Sequence, residues 1–270
     1  MGKRKPVPDR DQEPVVQRIR IRYAKRGRLR FTSHRDFARA LERAVRRAEV
    51  PIAYSAGFSP HPKISYVGAS PTGVASEAEY AEVGLRRPMD ADALRQALDA
   101  ALPPGIDVVD AVVSAGGSLA DRIQVSRWRL ELPGVAPDEL AVAVETFMAA
   151  PEAPVERSTK QGRRTLDARA PVERCQVVEE PTSMGETSTS VEGLAAPLPG
   201  YPAPCAILDL VVRHVTPSVR PDEILAGLRS VADLEPPAPV RATRVAQGVF
   251  TEDGDVADPL AADREGTPQR

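Results

Sequence analysis

Lysine is scarce in this chain. Of its 36 Lys and Arg residues only five are lysine, at positions 3, 5, 25, 63 and 160, and the other 31 are arginine. With abundant Ala, Val and Pro, this reads as the codon bias of a GC-rich genome, so part of the arginine content counts as ordinary solvated surface. Cysteine is scarcer still. Cys175 and Cys205 stand 30 residues apart, which gives neither a disulfide framework nor a zinc spacing. No three-cysteine cluster exists, so the chain by itself holds no iron–sulfur cluster in the usual way. His214 adds no ligand spacing to the two cysteines, and no metal site is expected. No apolar run approaches the roughly 18 residues of a membrane helix, and the N-terminus lacks the apolar core of a signal peptide. A cytoplasmic protein with no membrane partner is the expectation. Gly-rich phosphate loops, His-Glu-x-x-His helices and nucleophile elbows are absent too, which argues against an enzyme acting on its own.

What is present is charge of one sign in one place. The net charge of the 270 residues is −2, but residues 1–65 carry 17 Lys or Arg against 6 Asp or Glu. An anionic partner would therefore meet the N-terminal third. There a strand places Arg18, Arg20 and Arg22 on one face and Ile19, Ile21 and Tyr23 on the other. After the turn 24–27, Arg28 and Arg30 alternate with Leu29 and Phe31, which reads as an adjoining strand. Arg35, Arg39, Arg43 and Arg46 follow on a helix. Like charges on neighbouring strands weaken a sheet, so these groups need either internal carboxylates, such as Glu82, or a polyanion such as an RNA backbone. Base stacking of the kind used by RNA-recognition sheets is not expected, because Tyr23 and Phe31 fall on the apolar face.

The hydrophobic fraction of 42% supports a sizeable core. Periodicity gives strand 15–24, helix 34–49 capped by Ser33, strands 63–69 and 79–86, helix 90–102 and strand 106–113. The second half repeats the order with strand 123–132, helix 137–149, a hairpin 153–158 into 164–169, strand 205–213, helix 221–231 and strand 240–247. The expected class is α+β, with two tandem ferredoxin-like βαββαβ units, each an antiparallel sheet with helices on one face. The units span 15–115 and 120–250, the second carrying a loop insertion at 179–204. Residues 1–14 and the acidic stretch 251–270 are expected as disordered tails.

Two further groups could carry chemistry. In the loop Gly57-Phe58-Ser59-Pro60-His61-Pro62-Lys63, glycine opens the backbone and two prolines stiffen it around His61, presenting His61 and Lys63 as an anion or substrate site would need. A structural turn is the alternative. His34 opens a helix beside Ser33 and Arg35, where the helix dipole favours anions. His34 and His61 are the candidates for acid and base if the protein cleaves RNA; surface and capping roles are the alternative.

The stretch Arg20-x-x-Tyr23-x-Lys25-x-Gly27-x-Leu29-Arg30-Phe31, then Ser33-His34-x-Asp36-Phe37, then Pro51 through Ser65, then Gly73-Val74-x-Ser76-x-x-Glu79-Tyr80, resembles the radical-SAM-associated (radical-SAM-linked) protein family. That family is a domain of unknown function fused to, or encoded beside, radical SAM enzymes. Thr159-Lys160-x-Gly162 through Asp167-x-Arg169 is similar to its second-half pattern. The resemblance implies a partner rather than a mechanism: a radical SAM enzyme that would itself carry S-adenosylmethionine and the iron–sulfur cluster, with no cofactor in this chain. It marks Ser33, His34, Asp36, Gly57, Phe58, Pro60, His61, Pro62, Lys63 and Glu79 as a family site. Three functions are then expected in order: a non-catalytic accessory protein binding tRNA or rRNA for modification through Arg18, Arg20, Arg22, Arg28, Arg30, Arg35 and Lys63; a metal-independent RNA endonuclease using His34 and His61; a pure protein–protein adaptor.

Overall fold

The computed structural model describes residues 14–56, 58–159, 162–178 and 204–266. Its elements are β1 (Gln17–Lys25), a 3-10 turn (Gly27–Phe31), α1 (His34–Arg47), β2 (Ile64–Val67), β3 (Ala75–Leu85), α2 (Ala91–Ala101) and β4 (Ile106–Val113). A second 3-10 turn (Ala120–Arg122) leads to β5 (Val125–Pro133), α3 (Pro137–Ala149), β6 (Pro154–Thr159), β7 (Gly162–Asp167) and β8 (Val172–Val178). Then come β9 (Cys205–Arg213), α4 (Pro221–Ala232), β10 (Arg241–Phe250), β11 (Val256–Ala257) and α5 (Ala261–Glu265). Gly57, the turn at Lys160, the 179–204 insertion up to 203, and the N-terminal stretch to 13 lie outside the described residues.

The α+β class stands, but the two separate ferredoxin-like sheets do not. The described strands hydrogen-bond into one nine-stranded sheet in the order β4-β1-β3-β10-β5-β9-β8, with β2 on β3 and β11 on β10, and β6-β7 forms a sheet apart. A repeated order of elements says which pieces exist; it leaves open which strand edges pair. The chain divides into two compact units, one running to Gln124 and taking back Ala246–Val249 and the C-terminal stretch from Ala257, the other holding the remainder.

In the first unit, β1 pairs antiparallel with both β3 and β4. Its alternate residues Ile19, Ile21 and Tyr23 pack with Phe37, Leu41, Val45, Leu94 and Leu98 into one core. Phe37 lies one turn before Leu41 and two before Ala44 and Val45, the spacing that turns one helical face inward. Ser33 caps α1 by accepting from the Asp36 N–H, and Tyr23 stacks on Phe37 with centroids 4.2 Å apart. The helix stops at Ala48, before Pro51, whose ring bars continuation.

The opposite face of β1 is covered as well, so helices do not sit on one face alone. Ala78, Tyr80 and Val112 pack there with Leu119, Ile123 and Leu260. Arg20, fully buried, donates to Glu82, to both carboxylate oxygens of Asp263 at 2.9 Å, and to the carbonyls of Gly116 and Gly117. Arg122 reaches the same Asp263 at 2.8 Å. Residues 251–266, expected within a tail, instead carry β11 and α5, with Leu260 and Asp263 fully buried. The stretch Arg28–Phe31, expected as a strand, is a 3-10 turn that follows Gly27 at φ 54°, a backbone angle that favours glycine.

In the second unit, β9 lies between β5 and β8, antiparallel to both. Leu130, Leu132, Leu140, Phe147, Leu208, Ile224 and Leu228 are buried there. A methyl group on Gly227 would stand 3.0 Å from both Ala168 and Phe147, so that point of α4 admits no side chain without a shift. Among the described residues no helix is long and apolar enough to cross a membrane.

Removing one partner of a buried ion pair strands the other charge, at a cost of about 3–5 kcal/mol. Asp263→Ala is expected to lower the unfolding free energy by about that amount, seen as a lower urea midpoint. A loss below about 1 kcal/mol, the scale of a surface ion pair, would show that the pair does not hold the C-terminal segment.

Candidate nucleic-acid interface

The first unit contains every N-terminal residue singled out from the sequence, and it sorts them into three environments. Arg18, Arg20 and Arg22 share the face of β1 that the C-terminal segment covers. Arg18 pairs with Glu82 at 3.2 Å, and Arg20 is bound as above. Arg22 is half-buried, with its Nε enclosed and making no hydrogen bond among the described residues. Arg26, next in the turn, is held by Glu77 and Asp107. The hydrogen bond Arg26 donates to Glu77 is the largest influence on its pKa, which rises although burial opposes it.

The second environment is the solvent face of α1. Arg35, Arg39, Arg43 and Arg46 are all exposed. Their spacing puts them within about 80° of one another on a 3.6-residue helix, over about 16 Å of axis. Among the described residues only Arg39 of the four has a carboxylate within ion-pair distance, Asp36 at 4.0 Å with both side chains exposed. Arg28 is exposed and Arg30 half-buried on the preceding 3-10 turn, the Arg30 guanidinium lying 4.8 Å from the Phe31 ring centroid. Phe31, expected on the apolar face, is 59% exposed, because the 3-10 turn breaks the alternation that would have buried it.

The third environment comprises the start of α1, packed on Tyr66 of β2, and the loop before β2. Ser33 also donates to Asp36 Oδ2 at 2.7 Å. His34 packs edge-on against Tyr66 at 5.0 Å, and Tyr66 against Phe37 at 5.9 Å. Burial pushes the Tyr66 phenol well above its ordinary range, with the charge of Glu42 adding to it. The loop closes on itself through Ser55 and His61: each backbone N–H of the pair is satisfied, Ser55 N on the His61 carbonyl and His61 N on Ser55 Oγ. A bridge joins Tyr54 to Pro62, and Lys63 is tied by backbone bonds to Ala53 and Gly84. This leaves Phe58, Ser59 and Pro60 as an exposed tip, with Phe58 81% accessible. Glu79 is elsewhere: it is buried opposite Tyr23 and accepts from the Ser70 N–H at 2.9 Å, while Lys25 donates to the Pro71 carbonyl. No hydrogen bond or ring contact joins His34 to His61 among the described residues.

Sequence reasoning missed Tyr54, Arg86 and Arg87. Together with Arg46 they line a cleft of about 390 Å³ beside the end of α1. The available signal was the Tyr54 ring three residues before Gly57 and the Arg86-Arg87 pair closing β3. Among the described residues no group of three or more His, Cys, Asp or Glu converges.

The chain is thus an α+β protein with a row of exposed arginines on α1. From residue 18 to residue 221 it matches the model of the family described as "uncharacterized protein conserved in bacteria (DUF2344)", and it belongs to that family. That match says nothing of radical SAM enzymes. No curated protein matches the chain.

In the second unit, Cys175 is buried, and burial pushes its thiol up to about 12, with Arg169 opposing and Asp209 adding to the rise. The thiolate is the reactive form, so Cys175 should resist iodoacetamide at pH 8 in the folded protein and react in urea. The raised value means the fold favours the protonated thiol. Its contribution to stability is complete below the ordinary thiol range and is lost as pH rises towards about 12.

Proposed function

We propose that this chain is a non-catalytic accessory protein that binds RNA and presents it to a radical SAM enzyme. The observation that carries the RNA half is the α1 ridge: four exposed guanidinium groups on one helical face with a single weak carboxylate contact among them. Like charges at i, i+4 destabilise a helix by about 0.2–0.5 kcal/mol per pair. A polyanion relieves that repulsion, and guanidinium forks fit phosphate oxygens bidentately. Exposed Phe31, Tyr54 and Phe58 on the same unit supply rings on which unpaired bases stack. The enzyme half rests on the motif resemblance, which extends from Arg20 to Leu85 and returns at 159–169, and on a cysteine count too low for an iron–sulfur cluster in this chain.

On this reading the phosphate contacts shift from the sheet arginines to the helix. Arg20 has no access to solvent and Arg18 answers to Glu82, whereas Arg35 belongs to the exposed ridge and Arg28 is exposed on the turn before it. Each phosphate contact on a single strand contributes about 0.7 to the slope of log affinity against log salt. The full chain should therefore bind single-stranded RNA with a steep slope, and changing Arg35, Arg39, Arg43 and Arg46 to Gln should lower that slope by about 3. An unchanged slope in the variant would reject the ridge. Co-purification of a radical SAM enzyme from the native cell, surviving nuclease treatment while RNA binding is absent, would favour the adaptor. Metal-independent RNA cleavage lost on His34→Ala or His61→Ala would favour the nuclease.

A further inference from the structure

The cleft at the end of α1 is built with more care than a gap between elements requires. Its floor is set by the segment after the helix, which doubles back along β3: Ile52 bridges Leu85, and the Arg86 N–H donates to the Pro51 carbonyl at 2.8 Å. Its rim carries Arg46, Arg86, Arg87, Tyr54 and Glu49. Arg46 is also the last guanidinium of the helical ridge, so the ridge runs into the cleft.

Glu49 is the unexpected member. It has φ 51°, the left-handed conformation, at the point past a helix end where glycine is the least strained choice. A glutamate there costs backbone energy and is not repaid by an ion pair. Although three arginines line the same cleft, its carboxylate makes no salt bridge or hydrogen bond among the described residues. An acceptor held open among donors is what a ligand bearing both anionic and hydroxyl groups would engage.

We propose that this cleft takes a single ribonucleotide of the bound RNA: its base laid against Tyr54, its phosphate held by Arg46 and Arg87, and a ribose hydroxyl donating to Glu49. The inference deepens the RNA reading and names the unit recognised. The volume of about 390 Å³ lies within the roughly 300–1,000 Å³ usual for small-ligand pockets. Tyr54 is exposed, and Val45, Val50 and Ile52 line the same cleft, so an aromatic base has an apolar seat. Carboxylates accept from ribose hydroxyls in nucleotide sites of unrelated folds, and the 2′-hydroxyl is what separates RNA from DNA at a given position.

The test is calorimetric titration of the full chain with each of the four ribonucleoside 5′-monophosphates, their 2′-deoxy counterparts, adenosine, and inorganic phosphate. At least one ribonucleotide should bind about tenfold tighter than its deoxy form, and tighter than adenosine or phosphate alone. Arg87→Gln should weaken it by about tenfold. Glu49→Gly, which relaxes the backbone and so cannot act by unfolding the protein, should abolish the ribose preference while the urea midpoint holds or rises. Ribonucleotides binding no tighter than inorganic phosphate, or a ribose preference that survives Glu49→Gly, would overturn the proposal. The RNA reading fails separately: if RNA does not bind while the mononucleotide does, the cleft stands alone. If RNA binds with its full salt slope and no mononucleotide binds, the cleft falls and the ridge remains.

Discussion

One buried guanidinium organises the first unit. Arg20 lies in the middle of β1 with no solvent access, and an unpaired charge there would be untenable. Glu82 on the neighbouring strand supplies one counter-charge, but only Asp263, more than two hundred residues later, supplies the bidentate partner. The C-terminal segment must therefore return to β1. In doing so it brings Leu260 onto Tyr80 and Val112, and Asp263 onto Arg122 and the Ala115 N–H. Arg264 repeats the logic at the margin by reaching Asp110 and Asp258. A polar stripe that looks built for solvent is thus an internal seam.

This seam explains which parts of the fold were legible. Helix α1 could be read from Ser33 and the spacing of Phe37, Leu41, Ala44 and Val45, because capping and periodicity are local. So could α3, β9 and α4. The covering of the second face of β1 could not, since alternation of Arg with Ile reports two unlike faces and is silent about what lies against either. Asp263 gave no warning, being one acid among several in a Pro- and Gly-punctuated stretch. Strand β8 was lost because Val172–Val178 mixes charged and apolar residues without a clean period. The pairing order of the sheet lies further out of reach, for it depends on contacts between strands far apart in the chain.

The candidate site residues divide along the same line. Arg35, Phe58 and Lys63 were visible because charge and loop composition mark them directly. Tyr54, Arg86 and Arg87 were not, because a cleft is made by two segments and neither announces it alone. Phe31 was assigned to the wrong face through an assumed strand; once Gly27 admits a 3-10 turn, the ring comes out beside Arg30. Glu49 could be noticed only after its backbone angle was known, since as a residue type it reads as a solvated helix end.

The contrast between sheet and helix arginines is the strongest argument about function. The chain has carboxylates enough to match its cations: Glu77, Glu82, Asp107, Asp110 and Asp263 each answer to an arginine within the first unit. It leaves Arg35, Arg43 and Arg46 unanswered in a row on one helix, with Glu42 alongside but outside ion-pair distance of them among the described residues. The repulsion along that row is tolerable only because Phe37, Leu41 and Val45 anchor the opposite face in the core. A ligand that neutralises the row stabilises the folded state by linkage, so α1 is anchored in the core through one face while its other face gains from a polyanion.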